Sequence, residues 1–393
     1  MSPRAGPGAL VMGGFDVLRP LQLARVRCAL FAPPHEPSRR SRHVEAALPY
    51  ADPVRDPESV VAGLLAYAGT QPEKPVLYPA NDAVILLASR ARERLGTAFR
   101  LPLAAPDLVE DLLHKDRFAE RAERAGLPVP ASRRLRVDGG PPPSDLDLRY
   151  PLVLKPVVRG KPWRHEHSDA KALLAADARE LASRWAQLAA GAEVLVQEAI
   201  PGPESRIESY HAYVDADGRI AGEFTGRKIR TYPERFGEST AVEITDEADV
   251  ARVGRDVLER LGLRGVAKCD FKRAPDGSLA LLEINPRFNL WHFPGALAGV
   301  NLPALAHAAA TGERRDAATP PRARPGVRWC DPLVDPLAAR AAGLGLGRWA
   351  RWMAGCEAKS GFAWDDPLPL LDRTFGRGVG PQLRRISRRI ADR

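Results

Sequence analysis

"GVAKCDFKRAPDGSLALLEINPRF", residues 265–288, reads as strand, turn, strand. In its second strand Glu283, Asn285 and Arg287 fall at every second position, and a half-buried strand points such residues to one face. Pro275, Asp276 and Gly277 supply hairpin chemistry. With Asp276 and Gly277 as the two central turn residues, Asp270 stands opposite Glu283; a three-residue turn that begins at Pro275 shifts the register by one. Two facing carboxylates repel each other unless a cation lies between them. Asp270, Glu283 and Asn285 form an all-oxygen set suited to Mg²⁺, which is held by one or two carboxylates plus phosphate oxygens and water. Lys155 and Arg287 add positive charge, and such a site would position a nucleoside triphosphate and neutralise its phosphates.

Outward from the hairpin, strand and helix signals alternate, which predicts an α/β protein. "GALVM" is a strand followed by Gly13 and Gly14, then a helical stretch, then "CALFAPP" as a second strand. "PVLYPANDAVILLASRARERL" repeats the plan, with a strand at 76 to 78, a loop carrying Asn81 and Asp82, and a helix. This is doubly wound logic, although the G-x-G-x-x-G dinucleotide fingerprint is absent. "HKDRFAERAERAGLPVP" is a helix that ends at Gly126, "VDGGPPPSDLDLRYP" a connector, and "YPLVLKPVV" a buried strand with one lysine, Lys155. Residues 317–326, "AATPPRARPG", form a linker.

The chain has 393 residues, 45% hydrophobic and 27% charged, as expected of a soluble protein of two to three domains. No apolar run approaches the length of a membrane span and the N-terminus lacks a long apolar segment, so a cytoplasmic protein is expected. Cys28, Cys269, Cys330 and Cys356 are far apart, without C-x-x-C, and read as buried free thiols. The net charge of +9 is concentrated at one end: residues 373–393 hold seven arginines and one aspartate. In "QLRRISRRIADR" Leu383, Ile386 and Ile390 share one helical stripe among arginines, a pattern of a docked last helix or of one lying on an anionic surface; nucleic acid is not the expected partner.

"HKDRF" with "AGLPVP", "YPLVLKP", "VLVQEAIPGPE", "FTGRKIRTYPERFG", "GVAKCDFKR" and "LLEINPRF" stand in an order that resembles the ATP-grasp superfamily, specifically its carboxylate-amine ligases of the D-aspartate ligase kind. The resemblance implies a doubly wound, parallel-sheet pre-ATP-grasp domain over 1–107, an ATP-grasp domain over 108–318 with subdomains of about 108–198 and 199–318, and a C-terminal extension over 319–393. It implies an ADP-forming ligase that makes an amide through an acyl phosphate, acting on a small carboxylate and an amine, with ATP and two Mg²⁺ as cofactors, Mn²⁺ as a substitute, and a homodimer as the family expectation. By resemblance Lys115 and Lys155 contact the α- and β-phosphates. Glu198, Ala199 and Ile200 of the hinge meet the adenine edge, largely through backbone atoms, and Glu204 holds the ribose. Asp270, Glu283 and Asn285 hold the metal; Arg287, Arg227 and Lys228 act on the transferred phosphoryl group or clamp the acceptor carboxylate. Arg230, Tyr232 and His292 are candidate substrate contacts. One departure is "VVRGKPWRHEH" after Lys155, where a loop rich in glycine or serine is expected and Gly160 stands among Arg159, Lys161 and Arg164. Two further outcomes stay open: an ATP-grasp enzyme that carboxylates or transfers phosphoryl to another acceptor, and a non-catalytic ATP- or polyanion-binding protein.

Overall fold

The computed structural model describes residues 6–157, 172–313 and 320–375. The basic loop after Lys155, most of the 317–326 linker's first part and the arginine-rich tail lie outside the described residues. Three sheets organise the chain. The first holds β1 (Ala9–Met12), β2 (Cys28–Leu30), β3 (Val44–Ala47) and β4 (Val76–Pro79) in the order β3-β2-β1-β4, all parallel. Helices Phe15–Leu23 and Pro57–Gly69 make crossovers. Every residue of β1 is buried, with Leu10 and Met12 in one core and Ala9 and Val11 in another, which is why the strand reads as an unbroken apolar run.

The second sheet is antiparallel, ordered β5 (Ser132–Arg136), β8 (Glu193–Glu198), β6 (Leu152–Pro156), β7 (Leu173–Ala175). It has its own small core of Leu152, Leu154, Val194 and Val196 under Leu181 and Trp185. The third sheet has seven strands, ordered β13-β12-β9-β10-β11-β14-β15: β9 (Ile207–Val214), β10 (Ile220–Tyr232), β11 (Glu238–Thr245), β12 (Gly265–Arg273), β13 (Leu279–Asn285), β14 (Arg328–Cys330) and β15 (Ala358–Lys359). The two short strands β14 and β15 therefore extend this sheet at one edge from beyond the 317–326 linker.

Both large cores run from the first sheet into the third. Leu10 and Leu77 share one with Tyr210, Cys269 and Phe271; Val11 and Tyr78 share the other with Phe224, Val242, Phe288 and Trp291. The first and third sheets thus form one packed body. The backbone N–H of Phe288 donates to Pro79 O (3.2 Å), which fixes the exit of β13 against the end of β4.

The hairpin of β12 and β13 pairs Asp270 with Glu283, as one of the two registers requires, but by a different route. The turn is the three-residue kind: Ala274 N–H donates to Ser278 O (2.8 Å) and Gly277 takes φ of +87°, a conformation glycine adopts without strain. That turn shifts the register by one residue, and an irregularity at Leu282, between the Phe271–Leu281 and Asp270–Glu283 pairs, shifts it back.

Candidate active site

Alternation in β9 and β12 gives the third sheet two distinct faces. One carries Tyr210, Ala212, Cys269 and Phe271 into the core under helix Ala248–Arg260. The other carries Ser209, His211, Lys268 and Asp270, with Asp270 beside Ser209 and Lys268 beside His211 across the strands. Glu283 and Asn285 join that face opposite Asp270 and Lys268.

Asp270 is almost fully buried and accepts from Lys268 Nζ (2.6 Å) and from the Ser209 hydroxyl. Burial alone would raise its pKa, but Lys268 and Lys228 beside it, with those two hydrogen bonds, hold it well below the usual carboxylate range. It is an anion at every physiological pH. Asn285 Nδ2 donates to Glu283 Oε1 (3.1 Å), and Asn285 Oδ1 accepts from Arg287 Nη2 (3.2 Å). Arg287 is oriented from the first sheet: its Nε donates to Asp82 Oδ1 (2.6 Å) and its Nη1 to Ala80 O (3.5 Å).

The second sheet contributes Lys155, and the helix tied to it contributes Lys115. Lys115 Nζ donates to Pro156 O (2.9 Å), which ties the start of helix Lys115–Arg124 to the end of β6. Lys155 Nζ donates to Gln197 Oε1 (2.7 Å) on β8. Burial lowers its pKa, opposed by Glu283 on the third sheet and by Glu204 in the turn that precedes β9. Glu204 lies 3.7 Å from Lys272, whose pKa burial also lowers against the pull of Glu204. At the hinge, Ala199 N–H donates to Pro151 O (2.8 Å), while the Glu198 carboxylate is forked by Arg149 (2.9 Å from Nη2). Residues 198–200 are thereby held as an ordered crossing between the second and third sheets.

Of the expected site residues, Lys155, Glu204, Lys228, Asp270, Glu283, Asn285 and Arg287 come together. Four others do not. Arg227 follows Gly226 and precedes Lys228, so alternation sends it to the other face, where it is exposed and paired with Glu243 (2.7 Å). Gly226 itself lies under Trp291, whose ring occupies the space a Cβ would take. The β10–β11 register slips between Lys228 and Arg230, and a bulge reverses parity. Arg230 consequently leaves Lys228's face, forks the wholly buried Asp335 (2.8 and 2.6 Å) and stacks on Trp352 at 4.0 Å. Tyr232 is buried at the end of β10. His292 is wholly buried against Phe288 and His211, and its pKa is pushed down to about 3 by burial and by Arg287. In this structure Arg230 is engaged by Asp335 and Trp352, and Tyr232 and His292 are buried in packing.

Sequence reasoning missed Lys268, Lys272, Ser209, Gln197 and Asp82. Lys268, Asp270 and Lys272 are spaced by two in β12, a signal the sequence carried, whereas Ser209, Gln197 and Asp82 are brought in by strand pairing and domain packing alone.

Among the described residues no group of three or more His, Cys, Asp or Glu side chains converges as a metal cage. Asp270, Glu283 and the Asn285 amide oxygen instead form a two-carboxylate wall. Such a wall leaves coordination positions to be filled by water and phosphate, so the donor set fits Mg²⁺ and does not fit zinc.

Residues 192–332 match a family model described as "ATP-grasp in the biosynthetic pathway with Ter operon". The chain is 27% identical over 240 residues to D-aspartate ligase of Enterococcus faecium (strain Aus0004), covering 58% of this chain and 57% of that one. It is 26% identical over 195 residues to D-alanine–D-alanine ligase of Stutzerimonas stutzeri (strain A1501), covering 47% and 59%. The chain thus spans less than two thirds of the length of these relatives. In structure it resembles N5-carboxyaminoimidazole ribonucleotide synthetase in complex with ADP (TM-score 0.62, 16% identity, 84% of this chain and 82% of that one). It also resembles an L-amino acid ligase from Bacillus licheniformis (TM-score 0.58, 16% identity, 81% and 78%). Residues 192–332 thus match an ATP-grasp family model, the chain is similar in sequence to two ligases over about half its length, and its fold is similar to those of these two solved structures over most of it.

Proposed function

We propose that the protein is an ATP-dependent carboxylate-amine ligase that forms an amide and releases ADP and phosphate. The observation that carries this reading is the Asp270–Glu283 carboxylate pair with Asn285, set on one sheet face among Lys155, Lys228, Lys268 and Arg287. A dense set of cations around two fixed carboxylates is what a metal-chelated triphosphate requires, and a carboxylic acid substrate brings one more negative charge to the same place.

Asp270, Glu283 and Asn285 would hold Mg²⁺, two ions with Mn²⁺ as a substitute, and the metal supplies neutralisation of the β- and γ-phosphates. Lys115 and Lys155 bind the α- and β-phosphates from the second sheet, the 198–200 crossing takes the adenine edge, and Glu204 takes the ribose hydroxyls. Arg287, held rigid by Asp82 and Asn285, and Lys228 orient the γ-phosphoryl group and the acceptor carboxylate. A substrate carboxylate oxygen forms the new bond to the γ-phosphorus as the bond to ADP breaks. The amine then attacks the acyl carbon, phosphate leaves, and the amine's proton passes to solvent or phosphate. A site lined by charge yet backed by Trp291, Phe288 and Phe224 keeps water from the acyl phosphate.

The test is release of ADP and phosphate from Mg-ATP against pooled amino acids and small carboxylates, with Glu283→Gln as control. Stimulated release that the variant abolishes supports the ligase; release that depends on bicarbonate and on no amine would replace it with a carboxylating enzyme.

No described helix is long and apolar enough to cross a membrane. We place the protein in the cytoplasm, as a homodimer, with a secondary contact to anionic surfaces. Support for that contact comes from helix Leu368–Phe375, which leaves Leu368, Leu371 and Phe375 exposed immediately before the arginine-rich tail. Co-sedimentation with phosphatidylglycerol vesicles that is lost on removal of residues 376–393 would support it.

A further inference from the structure

Cys330 and Cys356, 26 positions apart and without any shared motif, are brought side by side. Cys330 is the last residue of β14, and Cys356 lies between helix Leu346–Ala354 and β15, the strand that pairs in parallel with β14. Both thiols are buried in one small cluster with Ala241, flanked by Ile229, Trp352 and Met353, and the Cys356 thiol donates to Trp352 O (3.6 Å). Cys28 and Cys269 belong to two other cores. The pair is also electrostatically uneven. Cys330, then Lys359 and Arg328, lower the pKa of Cys356, whereas Cys356 and burial raise that of Cys330.

We propose that Cys330 and Cys356 are a redox-modification site, a dithiol that closes to an intrachain disulfide when the protein meets a peroxide. The Cys356 thiolate sulfur attacks one peroxide oxygen; the O–O bond breaks, and Cys356 becomes a sulfenic acid as hydroxide leaves. The Cys330 sulfur then attacks the sulfenic sulfur, the S–O bond breaks, and water leaves with the Cys330 proton. Two thiols lose two electrons and the peroxide gains them, with two waters formed in all once the hydroxide is protonated. A small dithiol reductant reverses the reaction by exchange.

The bond would tie the edge of the seven-stranded sheet to the segment that follows helix Leu346–Ala354. That segment packs at the place where Arg230 forks Asp335 and stacks on Trp352, so closure locks the extension to β10 as well. A disulfide of this kind in a reducing compartment is transient and sensing rather than structural.

The full-length protein is treated with hydrogen peroxide, blocked with N-ethylmaleimide, denatured without reductant, and analysed by thiol counting and peptide mass mapping. The expected result is loss of two of the four thiols and a linked Cys330–Cys356 peptide pair two hydrogens lighter than the separate thiol peptides, restored by dithiothreitol. Cys356→Ser is expected to lose the linked peptide and Cys28→Ser to retain it. Should either variant fail to fold, the map of the unaltered protein decides. Four retained thiols, linkage between chains, or equal oxidation of Cys28 and Cys269 would overturn the proposal.

Discussion

The two faces of the seven-stranded sheet receive similar polar residues from the sequence and put them to different use. On one face Lys228, Lys268, Asp270, Glu283 and Asn285 are crowded together, several of them buried, and neighbouring elements add Lys155 and Arg287, so that four cations meet Asp270, Glu283 and the Asp82 that pairs with Arg287. On the other, Arg227 pairs with Glu243, Arg273 with Glu208 and Asp249, and Arg255 with Glu223, each cation matched to its own carboxylate. The difference lies in saturation. A face whose charges are already paired stabilises or solubilises the fold; a face whose cations outnumber their anionic partners is prepared for an anion.

The strongest way to break this comparison is at the carboxylate pair. Glu283→Gln removes one charge of the carboxylate pair proposed to hold Mg²⁺ while keeping the hydrogen bond that Asn285 donates. Turnover of ATP is expected to fall by about a thousandfold or more, with the melting temperature close to unchanged. Asp270→Asn should match that loss and also destabilise, because Lys268 is left buried without its carboxylate; an unpaired buried charge costs about 3–5 kcal/mol. Equal stability of the two variants in a urea titration would show that Lys268 does not depend on Asp270. Lys228→Ala, on the same face, should lower kcat by about ten- to a hundredfold with little change in melting, since it is only half-buried.

Next in size is Arg230→Ala. It strands Asp335, which is wholly buried and, among the described residues, retains the Thr240 hydroxyl and the Trp349 indole as side-chain donors. A loss of about 3 kcal/mol in unfolding free energy is expected, with kcat per folded molecule preserved. A selective loss of kcat at full stability would return Arg230 to the active site.

What the sequence revealed and what it withheld follow from the same physics. Strands β1, β2 and β4 of the parallel first sheet were legible because they are buried on both faces and therefore apolar, and the carboxylate wall because β13 places its polar residues at period two. Arg227, Lys228 and Arg230 looked alike in "GRKIR". Their separation depends on strand parity for the first and on a bulge for the last, and a bulge leaves no clear mark in composition. Asp82 was noted as a loop residue, but its grip on Arg287 depends on packing between elements 205 positions apart.

Asp16 tests the far edge of the active face, where Trp329 on β14 meets the first sheet. Trp329 Nε1 donates to Asp16 Oδ1 (2.9 Å), and burial raises the carboxyl's pKa to about 7 in spite of that bond. A folded-state pKa above the unfolded value of 3.8 means that the native protein binds the proton more tightly. Stability from this group is therefore fully present below about pH 4 and declines as pH rises to about 7, by at most about 4 kcal/mol. Melting curves between pH 4.5 and about 7.5 should show a decline that Asp16→Asn flattens. A parallel decline in the variant would place the titrating group elsewhere.

The smallest effect is expected from Arg227→Ala, and it bears most directly on the comparison. Arg227 is more than half exposed and its partner Glu243 a fifth exposed, so the pair contributes under about 1 kcal/mol, less in high salt. On the saturated face its removal should leave kcat and KM unchanged and shift the melting temperature by no more than a few degrees. Lys228, one residue away, should differ from it by at least tenfold in kcat, because the parity of one strand sets whether a cation meets a carboxylate of the fold or the phosphates of a ligand. If the two variants lose activity alike, the face that binds ATP is not the one defined by Asp270 and Glu283, since no single extended strand can present neighbouring side chains to the same side.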